Sequence, residues 1–119
     1  HRELTQLIDL PNAYQARATY YYGYINYQKK HYDTALRAFR QIRDSKQFSR
    51  IVPVYITQLY LLKQDYNSTL AYGQGSIEGG QVSKISTIKG YLGEAAYHKQ
   101  AYDTVIRYLK AQRRLYRND

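Results

Sequence analysis

Tyrosine is the residue that could do most of the chemistry in this chain. It supplies 16 of 119 residues, against two Phe and no Trp, Met or Cys. Each brings a broad apolar ring and a hydroxyl that must stay wet or find a partner, which suits non-covalent contact. Tyr20, Tyr24 and Tyr27 fall at i, i+4 and i+7, so a helix there would set three rings on one face. The reactive residue types are scattered by comparison. His1, His31 and His98 lie far apart in the sequence. The carboxylates form no pair at metal-ligand or acid–base spacing, and Asp33 and Asp103 stand where capping of a helix start explains them. Gly79-Gly80 lacks the Gly-x-Gly or Lys-Ser context of a phosphate loop. Without Cys, disulfides and thiolate metal sites are excluded. The chain reads as a non-enzyme, with no metal and no cofactor expected.

Charge gives a second surface. Eighteen Lys and Arg against nine Asp and Glu leave a formal +9, which favours acidic partners of any class. Arg37, Arg40 and Arg43 would line one side of a helix, and Arg107, Lys110, Arg114 and Arg117 would line another. A solvated helix face accounts for such stripes; the functional alternative is a basic surface for nucleic acid or anionic lipid. No apolar run approaches the roughly 20 residues needed to cross a bilayer.

Helices must position these residues. Leu4, Leu7 and Ile8 predict a short helix over 1–10, stopped by Pro11, with Asn12 as the cap of the next. That next helix, 13–28, is apolar on two sides: the Tyr20 face and a second face of Ala18, Tyr22 and Ile25. It should be sandwiched between neighbours. Residues 32–43 form a helix with Leu36, Phe39 and Ile42 inward, and 44–50 a polar connection anchored by Phe48. Residues 51–62 are helical, with Pro53 tolerated in the first turn. Helices over 66–77, 82–99 and 102–116 complete seven. In the last two, Ile85, Ile88, Leu92, Ala95 and Ala96, then Ile106, Leu109 and Tyr116, are spaced for burial.

One short string recurs through this series. It reads Lys29-Lys30-His31-Tyr32-Asp33-Thr34, Lys63-Gln64-Asp65-Tyr66-Asn67-Ser68 and Lys99-Gln100-Ala101-Tyr102-Asp103-Thr104, with the tyrosines 34 and 36 residues apart. Each copy is expected to be the turn between two paired helices. A repeat of this length implies stacked supersecondary units. Twelve residues separate Gly23 from Ala35, Thr57 from Thr69 and Gly93 from Val105, and the first pair is small enough for close helix approach.

Gly23, Tyr32, Ala35 and Phe39, with the 34-residue period, resemble the tetratricopeptide repeat over roughly residues 16–115. The second unit departs from that pattern with Thr at both small positions and Gly73 where an aromatic is usual; the third has Val105 for a small residue. The resemblance implies an all-α solenoid of antiparallel helix hairpins: residues 1–11 trailing from a preceding unit, then repeats at 12–46, 47–80 and 81–119. It also implies a single repeat domain; since the sequence begins at His1 and contains no Met, the chain is expected to be a processed product or a piece cut from a longer one. The tyrosine-rich character and the 48–55 junction are similar to arrays of bacterial envelope proteins.

In that family the first helix of each pair lines a concave, partner-binding groove. By position the groove would hold Arg17, Tyr20, Tyr24, Tyr27 and Gln28, then Val54, Gln58 and Leu61, then Glu94, Tyr97 and His98. Tyr20 and Tyr24 fit packing between helices equally well. The carboxylate clamp of some members is not supported, because Tyr20, Tyr24, Thr87 and Tyr91 stand at its places. The expected function is a protein-binding scaffold. A basic nucleic-acid module and a structural spacer are the alternatives. Leu109, Leu115 and Tyr116 have no later repeat to cover them, so the array is expected to continue or to self-associate there.

Overall fold

A computed structural model of the chain describes residues 12–117, which form five helices and no strand among the described residues. They are α1 (Asn12–Gln28), α2 (Tyr32–Gln41), α3 (Val52–Leu62), α4 (Tyr66–Glu78) and α5 (Ile85–Arg117). The all-helical class follows the 3.6-residue apolar spacing. The expected helix over 1–10 lies outside the described residues.

Helices α1 and α2 form one hairpin and α3 and α4 a second; α2 packs on α3, and α5 packs on both α3 and α4. The core is Ala16, Ala35, Leu36, Phe39, Ile42, Val52, Ile56, Leu59 and Tyr60, with Phe48 packed against it from the connection. The second face expected on α1 is open: Tyr22 and Ile25 are exposed. In the second hairpin, Thr57 and Thr69 occupy the positions of Gly23 and Ala35. Both are fully buried, and their hydroxyls donate to the carbonyls of Pro53 and Asp65 at 2.7 and 2.8 Å. With the hydroxyl satisfied four residues back, Thr serves as a small residue. Gly73 stands where the first hairpin has Phe39; Leu92 of α5 occupies the space there, so near that a Cβ would lie 2.6 Å from its methyl.

The first two strings are turns, as their pattern predicts, and they share one geometry. Lys30 and Gln64 adopt positive φ, 65° and 62°. His31 N–H donates to Asn26 O and Asp65 N–H to Tyr60 O, while Lys30 and Gln64 N–H donate to Tyr27 O and Leu61 O. This is the Schellman closure of a helix C-terminus. The Asp65 carboxylate then accepts from Ser68 N–H and caps α4. Lys63 reaches across to pair with Asp33 of the preceding string, and that contact holds the exposed Asp33 carboxyl below its ordinary pKa.

The third string is no turn. Residues 99–104 lie inside α5, a single helix of 33 residues that runs for about 50 Å. The helices expected over 82–99 and 102–116 are therefore one, and the third hairpin is absent. The residue types explain this. The position before the tyrosine is Ala101, the strongest helix former, where Asp65 supplies a cap in the second string. Gln100 matches Gln64, which does adopt the left-handed conformation, so the difference lies at position 101. As a result only the proximal part of α5 is embedded. Ile88 and Ala95 are fully buried, whereas Tyr102, Val105, Tyr108, Leu109 and Leu115 are all more than half exposed. Leu109, expected inward, is 55% exposed.

Candidate binding surface

The tyrosines of α1 meet Tyr55 of α3 in one aromatic cluster. Tyr20 is sandwiched. Its ring stacks on Phe48 at 4.6 Å and meets Phe39 and Tyr55 edge-on, and the Tyr20 and Tyr55 hydroxyls hydrogen-bond at 3.3 Å. Tyr55 is the hub: it stacks on Phe39 at 5.0 Å and takes the edges of Tyr24 and Tyr27 at 6.2 and 6.0 Å. Tyr24 stands outermost at 36% exposure and stacks on Tyr27. Spacing on α1 explains the arrangement, since positions 20, 24 and 27 share the face turned toward α3.

Burial shifts the hydroxyls. The Tyr55 pKa is pushed up to about 12, by burial first and by its hydrogen bond to Tyr20 second. Tyr27 is raised by burial, against a hydrogen bond to Gln58 that works the other way. Burial also raises Tyr91 of α5, with Tyr27, Glu94 and Tyr55 adding smaller upward effects, so Tyr91 lies near the cluster. The fold thus favours neutral Tyr55. Its contribution to stability is complete below pH 10, the ordinary tyrosine value, and is lost as pH climbs toward 12. Chemical denaturation across this range is expected to show a smaller alkaline loss for Tyr55→Phe than for the parent chain. Equal losses in the two proteins would contradict the assigned ionisation.

The positions expected to line a groove divide into two groups. Tyr20, Tyr24, Tyr27 and Gln58 come together in the cluster. Tyr20 faces inward, and Tyr24 and Tyr27 form the accessible margin. Glu94 sits beside Tyr91 and lies 3.9 Å from His98. Arg17 is exposed, its guanidinium over the Tyr14 ring, and Gln28 is exposed beside the first turn. His98 stacks on Tyr66 at 5.2 Å and Tyr97 stands 70% exposed beside it. These two mark a separate place, next to a cleft of about 360 Å³ where Asp65, Tyr66 and Asn67 face Lys99, Tyr102 and Asp103. Val54 is buried and Leu61 half-buried.

Groove reasoning leaves out Tyr55, the hub of the cluster, and Tyr91 near it. A signal for them exists in the repeat. Each stands eleven residues before its string tyrosine, Tyr66 or Tyr102, as Tyr21 stands before Tyr32.

The basic residues are spread out. Arg37 lines a cleft with Tyr22 and Gln41, Arg40 lies over the Tyr60 ring, and Arg43 approaches Asp44 at 3.7 Å. Arg107, Lys110 and Arg114 are exposed on the distal part of α5, and Arg117 is its last residue. Among the described residues no group of His, Cys, Asp and Glu could hold a metal ion, and no helix is long and apolar enough to cross a membrane. A wider cleft of about 650 Å³ between Gln15, Ala16 and Thr19 of α1 and the end of α2 shares no residue with the cluster. No family model, no curated protein and no solved structure matches the chain.

Proposed function

We propose that the chain is a helical-repeat scaffold of the tetratricopeptide type that binds a peptide or extended segment of a partner protein along its tyrosine face. One observation carries this reading: Tyr24 and Tyr27 of α1 meet Tyr55 of α3 in one aromatic cluster, with Tyr91 of α5 near it. Their rings offer large contact area with few rotamers to freeze on binding. The hydroxyls of Tyr27, Tyr55 and Tyr91, which burial holds in the neutral form, supply directional hydrogen bonds without the cost of desolvating a charge. Gln58 and Glu94 add polar contacts from α3 and α5.

The two Schellman turns support the repeat reading as well. They reverse the chain in the same way 34 residues apart, as repeated helix hairpins would. The reading also covers the absence of clustered reactive side chains among the described residues, since recognition needs none.

A displayed random-peptide library selected on the parent chain tests the proposal. Selected peptides are expected to bind the Tyr24→Ala/Tyr27→Ala variant at least tenfold more weakly. Those two side chains lie at the accessible rim, so circular dichroism of the variant should match the parent. A folded variant with full affinity, or a library that yields no binder, overturns the reading.

A further inference from the structure

Helix α5 carries the two halves of a hairpin that it does not form. The repeat register matches Gly93 to Gly23 and the pair Tyr108-Leu109 to Ala38-Phe39. In the first hairpin those residues meet: a Cβ on Gly23 would lie 3.2 Å from both Ala38 and Phe39, each of them buried. In α5 the same positions are vacant. Nothing lies within 4 Å of a Cβ on Gly93, and Tyr108 and Leu109 are 63% and 55% exposed. A glycine in a helix interior has a propensity cost that here brings no close contact in return. Tyr32 of the first string is half-buried, whereas Tyr102 of the third is 65% exposed.

We infer that α5 is a two-state element. Residues 99–104 are a hinge at which the distal half folds back, so that Leu109 and Tyr108 cover Gly93 and a third hairpin closes. The continuous helix keeps its ladder of backbone hydrogen bonds and leaves an apolar face open; the hairpin buries that face and must place Gln100 in a left-handed conformation. Ala101 tips the balance toward the continuous form, being a strong helix former that offers no cap where the second string has Asp65. The occupant of the Gly93 notch is the chain's own distal segment. A straight second copy is a poor alternative, because positions 93 and 109 are sixteen residues apart and point to nearly opposite sides of one helix. An antiparallel partner helix cannot meet both. The inference does not depend on the peptide-binding reading.

Distances between two spin labels decide it, and a chain without cysteine accepts them cleanly. Labels at Lys89→Cys and Gln112→Cys stand about 35 Å apart along a continuous helix. Their first-hairpin equivalents, Thr19 and Ile42, line one cleft, so the folded-back form brings the labels within about 20 Å, two packed helices being roughly 10 Å apart. The labelled chain is expected to show a minor short-distance population beside the long one. Adding Gln100→Gly and Ala101→Asp should raise its weight at least tenfold, and adding Gly93→Leu should abolish it. A single long distance in the labelled chain that is otherwise unchanged overturns the inference. So does a short distance that vanishes on dilution with unlabelled protein, since that would mean exchange between copies.

Discussion

Replacing Phe39 with Ala is expected to destabilise the protein by roughly 3–5 kcal/mol, the range for truncating a fully buried aromatic ring. Phe39 is fully buried, stacked on Tyr55 at 5.0 Å, edge-on to Tyr20 at 5.9 Å and pressed under Gly23 of α1. The void left by the ring would be walled by three helices. Two of them are already fixed by the Schellman turn between α1 and α2, so collapse into the space is limited. Urea denaturation at neutral pH measures the effect, with Leu109→Ala as the comparison. Leu109 is 55% exposed, and its removal should change stability by no more than about 0.5 kcal/mol. Comparable losses in the two variants would refute the placement of the core.

The opposite change at the same contact is also expected to be damaging, though less so. Gly23→Leu drives four carbons into a gap where the first of them already meets Ala38 and Phe39 at 3.2 Å. The Ala38 Cβ is fixed to its backbone and the Phe39 ring has no room to turn. The two helices must separate or the ring must leave its rotamer, at a cost of about 3 kcal/mol, the upper end for overpacking. Better helix propensity returns about 1 kcal/mol of that. Gly93→Leu places the same side chain in open space, so there the propensity gain stands alone and thermal stability should rise slightly. A Gly23→Leu protein as stable as its parent would show that α1 and α2 do not approach as closely as described. The two glycines are equivalent in sequence and opposite in environment, and the pair of variants reads that difference directly.

Much of the architecture was legible because it rests on local signals. The spacing of Leu36, Phe39 and Ile42 marked the inner face of α2, and all three are buried. Pro53 was placed in a first turn, and α3 has it there. Phe48 was named the anchor of the connection, and it stacks on Tyr20. The second face of α1 was misjudged, since Tyr22 and Ile25 are exposed where a sandwiched helix was expected. Periodicity says that a face is apolar and is silent on what covers it. The cluster was half legible: α1 announced its tyrosines by i, i+4, i+7 spacing, but the hub, Tyr55, sits on a helix apolar nearly all round, where no face stands out.

The amino-acid sequence by itself determined an all-helical chain, the register of its 34-residue repeat and the turns at Lys29–His31 and Lys63–Asp65. Each of these depends on residues within a few positions of one another: apolar spacing, a cap, a break in the pattern. Only the tertiary structure decided that Tyr20, Tyr24 and Tyr27 gather around Tyr55, because their contacts join helices far apart in the chain. It also decided the third string. Lys99–Thr104 repeats the pattern of the other two, but a turn forms only when the packing it permits outweighs the helix it interrupts. With Ala101, a strong helix former, where the second string has the capping Asp65, the uninterrupted helix prevails.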